Sequence, residues 1–384
     1  MTNSQLQLLA LVKLAIHPQD ETEEVLSRFA IDWNEVFEES IKQSMAGIAF
    51  AGLKSINPAM SVCGKSADRK LLTKWFGVVE KIKQDNLLLN KRTSQICQNF
   101  HQDGFRVSVM KGQGNALLYG KEWSLLRSSG DIDVWVEGGF EKVFDYVRKV
   151  SPPTRMNELE MDFNVFSDAE VEVHYRPFIL RHPFRNKSLQ EFFNKHADAC
   201  FMNHVSLLSI NKDGDETEVD AVVTTLLFNL VHQLAHINLH LFTEGVGLRQ
   251  VMDYYYLLVH SQKLLNVEER EEVVDVIRSI KLEKLAKALM WILSEYFGLE
   301  KRYMLWDANR EDGEFLLEEI LLTGNFGKMD MRHPDGYKTG GLQSFLYTQK
   351  RNLKMSRFDR TDWFWGSLWR VYHYVWRKSK DFIH

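Results

Sequence analysis

Cysteine is scarce in this chain: Cys63, Cys97 and Cys200 are the only three among 384 residues, far apart and odd in number. Such a set makes neither a disulfide framework nor a zinc cluster, so a reducing, cytoplasmic compartment is expected. Proline is scarce as well, with seven in all. Proline breaks helix interiors, so its rarity beside many leucine-rich periodic stretches indicates a mostly helical protein. Neither sign of charge is in excess: the net charge of -4 gives no global drive towards nucleic acid or an anionic membrane. No segment reaches the roughly 18 uninterrupted apolar residues that a spanning helix needs, so no transmembrane segment is expected. The opening stretch MTNSQLQLLALVKLAIHPQDETEE has no basic region before its apolar part and no small-residue cleavage site, and it reads as a short helix rather than a signal peptide.

The hydrophobic content of 45% supplies ample material for a core. Residues 4–17 and 33–56 carry apolar residues at helical spacing, the second through Val36, Ile41, Met45, Ile48, Ala49 and Leu53. A long helical pattern over 66–102 ends at Asp103-Gly104, where glycine suits a C-cap. The period then changes. Phe105–Val109 alternates like a strand, Lys111-Gly112-Gln113-Gly114 interrupts it, and 114–120 reads as a short helix. Asp131–Val136 is a second strand, 140–150 a helix, and 161–166 with 169–175 a hairpin. Helical patterns follow at 188–196, 220–241, 247–262, 266–280, 282–297 and 312–323, with a hairpin over 207–219. Three regions result: helical over 1–64, a mixed core over 65–215, and helical again over 216–384. The expected fold class is α+β, a small mixed sheet embedded in helices.

The most informative stretch is 110–136, MKGQGNALLYGKEWSLLRSSGDIDVWV. Asp131 and Asp133 lie two residues apart in an apolar, β-branched run, and side chains at i and i+2 of a strand leave the same face, roughly 6.5–7 Å apart. Ile132, Val134 and Val136 then enter a core from the other face. Val171 and Val173 of the later Glu170–His174 stretch likewise face inward, leaving Glu170, Glu172 and His174 on the open face. Glu172, mid-strand between two valines, is the candidate third acid. Three acids on adjacent strands suit magnesium, which prefers oxygen ligands. Two such ions about 3.5–4 Å apart can stabilise the attacking and leaving oxygens of a phosphoryl transfer. The Lys111–Gly114 turn sits between strand and helix, where backbone amides can cradle phosphate oxygens and Lys111 can add a charge. It is not a Walker A loop, since no Gly-Lys-Ser/Thr follows. Arg127, with Ser128, Ser129 and Gly130, stands just before the acids, where it can meet a triphosphate or pair with Asp131.

These residues resemble the nucleotidyltransferase superfamily with the polymerase-β-like core, most closely an uncharacterised bacterial branch. The resemblance rests on Lys111-Gly112, on Arg127 with Gly130-Asp131-Ile132-Asp133, and on Val171-Glu172-Val173-His174. Outside the core it extends to IKQSMAGIAFAGL at 41–53, LVHQLAHINLH at 230–240 and Gly247–Asp253. It implies Asp131, Asp133 and Glu172 as ligands of Mg²⁺, in one or two ions with Mn²⁺ as a substitute. It also implies Gly112 as part of a phosphate loop; the residues themselves make Lys111, Gly112, Gln113 and Gly114, with Arg127, Ser129 and Gly130, the expected nucleotide-binding set. The activity implied is transfer of a nucleoside monophosphate from an NTP, such as ATP, to an acceptor hydroxyl on a small molecule, sugar, RNA or protein. Gln113 stands where the usual loop has a second glycine or a serine, so a non-catalytic relative that binds nucleotide or a partner is the alternative.

His232, His236 and His240 fall at i, i+4 and i+8 on one helical face. With Asp253 they could form a helical metal hydrolase; otherwise they are structural or face a substrate. Arg249 and Asp253, also four apart, can form an ion pair. Gly324–Gly327 reads as a helix-ending loop. The last part of the chain, over 350–380, mixes Trp363, Trp365, Trp369, Tyr372, Tyr374 and Trp376 with Arg and Lys residues. It suits a closing helix, or surface contact with a membrane, a partner or RNA.

Overall fold

The computed structural model describes residues 1–18, 31–56, 68–211, 213–327, 330, 342–361, 364–366 and 368. Among the described residues three helices come first: α1 (Asn3–Ile16), α2 (Trp33–Lys42) and α3 (Ala46–Ser55). The long α4 (Arg69–Gln102) leads into β1 (Val107–Met110). A sharp turn starts α5 (Gly112–Ala116), which passes through a 3-10 turn at Leu117–Tyr119 into α6 (Lys121–Ser124). Next come β2 (Ile132–Val136), α7 (Gly139–Val150), β3 (Glu160–Asp162) and β4 (Val171–His174). They are followed by α8 (Pro183–Phe201), opened by a proline at its first position, and the hairpin β5 (His204–Ile210) and β6 (Glu216–Val222). The rest is helical: α9 (Leu226–Thr243), α10 (Leu248–Leu264), α11 (Val267–Ser279), α12 (Glu283–Phe297), α13 (Arg310–Thr323) and α14 (Leu342–Met355). The fold is α+β. Among the described residues no helix is long and apolar enough to cross a membrane.

The four-stranded sheet has the order β1-β2-β4-β3, with β2 and β4 parallel and the two outer pairs antiparallel. Strand alternation divides its side chains between two cores. Ile132, Val134, Val171 and Val173 pack with Leu89 and Phe100 of α4 and with Val143 and Val147 of α7. On the other face Met110 and Trp135 join a larger core built mostly from helices. Trp135 meets Phe201 of α8 at 4.4 Å and stacks on Phe228 of α9 at 5.6 Å. Helix α9 therefore covers the face of β2 from which Asp133 also projects.

The larger core also joins α1–α3 to α9, α10, α12 and α13. A Cβ placed on Gly52 of α3 would stand 1.9 Å from the Leu11 carbonyl oxygen of α1. Gly52→Ala is accordingly expected to lower the unfolding free energy by about 1–3 kcal/mol, read as a shift of the urea midpoint. A midpoint equal to wild type would contradict this close approach.

The single helix expected over 33–56 is two helices. The chain breaks after Gln43, and Ser44 takes φ 55. The buried Gln43 amide donates to the Ile320 carbonyl of α13, and its oxygen accepts the amide of Leu248 at the start of α10. Contacts far along the chain hold the break, so periodicity within the segment does not reveal it.

The first part of the 350–380 stretch is bound within the fold. Arg351 donates to the carbonyls of Leu241 and Glu244, Arg357 pairs with Asp312 and Glu311, and Lys354 pairs with Glu319. Trp365 lies against His182 at 5.2 Å. Trp363, Trp369, Tyr372, Tyr374 and Trp376 lie outside the described residues.

Candidate active site

Two hydrophobic strands in parallel register carry the acids. Asp133 on β2 is level with Glu172 on β4, and Trp135 with His174. β3 adds Asp162 opposite Glu172 and Glu160 opposite His174. Asp131 precedes β2 by one residue. Among the described residues, Asp133, Glu172 and His174 form a group whose donor atoms lie within 4.8 Å of one another. Asp131, expected as a ligand, is not in that group, but it is close enough to share its field.

Asp133 is 6% exposed and is the hub. One oxygen, Oδ1, accepts from Lys111 Nζ at 3.1 Å and from His174 Nε2 at 2.9 Å. Burial opposes the charge, but Lys111 and His174 hold the Asp133 carboxyl far below the usual range. Burial likewise pulls the Lys111 ammonium down, and the charges of Asp133, Asp131 and Glu160 outweigh it. His174 is also raised: burial lowers it, but Glu160, 3.2 Å away, and Asp133 outweigh burial. Through its 2.9 Å contact with the Asp133 carboxylate, His174 Nε2 donates a hydrogen bond that positions Asp133.

The remaining acids are in surplus. Asp133 and burial raise the Asp131 carboxyl. Burial, then Glu160, Asp133 and Asp131, push Glu172 up to about 8, although Arg155 Nη2 stands 2.6 Å from it. Carboxyls that raise one another's pKa are relieved by an added cation, and oxygen donors suit a hard one. Asp133 and Glu172, level on parallel strands, present oxygen donors of the kind a hard divalent ion takes.

The turn before α5 is strained. Lys111 takes φ 50, ψ -129, and Gly112 follows at φ +26. A non-glycine residue there costs on the order of 1–3 kcal/mol and persists only when its surroundings hold it. Here the hold is the Lys111 side chain, clamped between Asp133 and His236 Nε2, 3.1 Å away.

Several expected phosphate-loop residues are placed otherwise. Gln113 is buried and points away from the acids, its amide donating to Asn90 of α4. A Cβ on Gly114 would lie 3.3 Å from Val223, so this glycine serves close packing beside β6. Arg127 pairs neither with Asp131 nor with open space. Its Nε and Nη2 form a fork on Asp253 of α10 at 2.7 and 2.8 Å, and Nη1 donates to Ser129 Oγ at 3.0 Å. Tyr119 also donates to Asp253, at 2.7 Å. Arg127 and Asp253 are 4% and 2% exposed, which closes that guanidinium to a phosphate. Gly130 is exposed beside Asp131.

The same contacts separate the members of a helical metal site. Asp253 is taken by Arg127, and His232 contacts the Pro177 carbonyl at 3.2 Å. Burial, then Lys111, keep His232 and His240 down at about 3, so both are neutral. The pairing expected between Arg249 and Asp253 is also absent among the described residues; Arg249 Nη1 donates instead to the Ser128 carbonyl at 2.7 Å. Sequence reading passed over His174, Glu160 and Arg249 as site residues. His174 carried a signal, two residues beyond Glu172 on the same strand face.

Asp133 on β2, Asp131 just before that strand, Glu172 on the parallel neighbour and the Lys111 turn thus lie together at one end of the sheet. A family model for uncharacterised nucleotidyltransferases matches residues 30–298, and the chain belongs to that family. Among solved structures, an antigenic nucleotidyltransferase-like protein from Paracoccidioides brasiliensis is 12% identical, covering 56% of this chain and 94% of that one with a TM-score of 0.30. Comparison with curated proteins gives no match.

Proposed function

We propose that this protein transfers a nucleoside monophosphate from an NTP to an acceptor hydroxyl and releases pyrophosphate, with Mg²⁺ bound at the acid face. The observation that carries this reading is the level placement of Asp133 and Glu172 on parallel strands, with Asp131 beside them and Lys111 clamped against Asp133.

Asp131, Asp133 and Glu172 would hold the metal, which when bound supplies charge stabilisation for the attacking and leaving oxygens. His174 fixes the rotamer of Asp133 through its 2.9 Å hydrogen bond. Lys111, released from part of its contact with Asp133, balances charge on the triphosphate. The acceptor oxygen bonds to the α-phosphorus as the bond to the pyrophosphate oxygen breaks, and the hydroxyl proton passes to Glu172 in its carboxylate form. The helical cover of α9 limits water at the acid face, which strengthens each of these interactions.

Incubation of the full chain with Mg²⁺ and each labelled NTP, with candidate acceptors present, tests this reading through pyrophosphate release. Release that is absent with every NTP would support the non-catalytic alternative. A pH dependence follows from Glu172. Its carboxyl is raised to about 8, so near neutral pH it still holds a proton that a divalent ion must displace. Mg²⁺ affinity is expected to rise with pH up to about 8 and then level off, read by calorimetry. Glu172→Gln should flatten that slope; a slope unchanged in this variant would remove Glu172 from the site.

A further inference from the structure

One cation near the acid face has no ion-pair partner among the described residues. Arg249 sits at the start of α10, and among the described residues no carboxylate lies within ion-pair distance of it. Its Nη1 is used on the Ser128 carbonyl, and its Nε is buried with no hydrogen-bond partner. The guanidinium lies over the Phe326 ring, 5.6 Å from its centre. His240 meets the same ring at 4.9 Å, and His236 lies 3.0 Å from His240 and 3.1 Å from Lys111. Phe326 is itself held at φ 55, an unusual backbone for a large side chain. Nδ1 of both histidines is buried without a hydrogen-bond partner, that of His240 lying 3.8 Å from a Glu244 carboxylate oxygen.

A guanidinium withdrawn from water without a counter-ion is destabilising, and a bound anion removes that penalty. Burial, then repulsion from Arg127, lower Arg249 from its ordinary value against the more distant attraction of Asp253 and Asp131. Its charge still reaches the catalytic face, since it lowers the Asp131 carboxyl. Arginine's planar fork suits two oxygens of one phosphate. The neighbouring imidazoles are neutral, His240 at about 3, so they offer hydrogen bonds without adding charge of their own.

We propose that Arg249, backed by Phe326 and flanked by His236 and His240, is a phosphate-group subsite beside Asp131. This deepens the nucleotidyltransferase reading and rests on it. The phosphate belongs either to the NTP tail or to a phosphorylated acceptor.

Calorimetry on the full chain with Mg²⁺, using inorganic tripolyphosphate and inorganic phosphate as probes, tests the proposal. Arg249→Gln is expected to weaken binding at least tenfold while its unliganded Tm equals or exceeds that of wild type. Weakened tripolyphosphate binding assigns the subsite to the NTP tail. Weakened phosphate binding with tripolyphosphate unaffected assigns it to the acceptor. Should Arg249→Gln fail to fold, Arg249→Lys decides: the charge without the fork should bind less tightly, and wild-type binding overturns the proposal. Wild-type binding by Arg249→Gln, or no binding of either probe by the wild type, also overturns it. Pyrophosphate release separates the two claims. Arg249-dependent phosphate binding without NMP transfer leaves the subsite standing and removes the activity. Transfer with an unchanged KM for both NTP and acceptor in Arg249→Gln does the reverse.

Discussion

Asp133→Asn should abolish metal-dependent turnover and also lower stability. Both effects come from one oxygen. Asp133 Oδ1 accepts from Lys111 and His174, and the carboxylate is 6% exposed. A neutral amide of the same size removes the anion that Lys111 and His174 both face. Removing one partner of a buried charge pair typically costs about 3–5 kcal/mol. Loss of one electrostatic contact to the developing charge costs about 10²–10³-fold in rate, and losing a metal ligand should cost no less. The measurements are pyrophosphate release with each NTP, Mg²⁺ binding by calorimetry, and a urea midpoint. Wild-type turnover in a folded Asp133→Asn variant would sink the proposed site. A stability loss with turnover retained would make Asp133 a structural anion alone.

Asp253→Ala should be the most destabilising change away from the acid face. The Asp253 carboxylate takes two hydrogen bonds from Arg127 and a third from Tyr119, with almost no exposure. Its removal strands a guanidinium in the interior and should cost about 3–5 kcal/mol, read by urea unfolding. The double variant Arg127→Met with Asp253→Leu should recover most of that loss, because neither charge remains buried. Recovery of stability need not bring recovery of activity. Arg127 begins the Ser128-Ser129-Gly130 segment that carries Asp131, and Arg249 holds the same segment through the Ser128 carbonyl. Helix α10 therefore grips the loop that aims Asp131. A single Asp253→Ala variant with a wild-type urea midpoint would show that the pair is dispensable.

Much of the core strand pattern was legible from local sequence. Ile132, Val134, Val171 and Val173 alternate with acids, and a period of two leaves one outcome for each side chain: apolar inward, carboxylates outward. Helix positions followed from the 3.6-residue period wherever one face is apolar. The break at Gln43 was not legible, because a glutamine side chain bonded to Ile320 and Leu248 decides it. Arg127 illustrates the same point in the site. Four residues from Asp131 it reads as a phosphate or acid partner, yet its fork closes on Asp253, 126 residues away.

By itself the sequence determined the helical bias, the paired-acid strand, the third acid on its partner strand and the strand-to-helix turn at Lys111. These are local properties, set by side-chain period and by where glycine interrupts it. The tertiary structure decided which cations those acids meet. Lys111 and His174 converge on Asp133, Arg127 withdraws to Asp253, and Arg249 is left beside the acids without an ion-pair partner among the described residues. Coulombic pairing in a low-dielectric interior depends on distances of a few ångströms between residues far apart in the chain, and spacing along a sequence does not encode them.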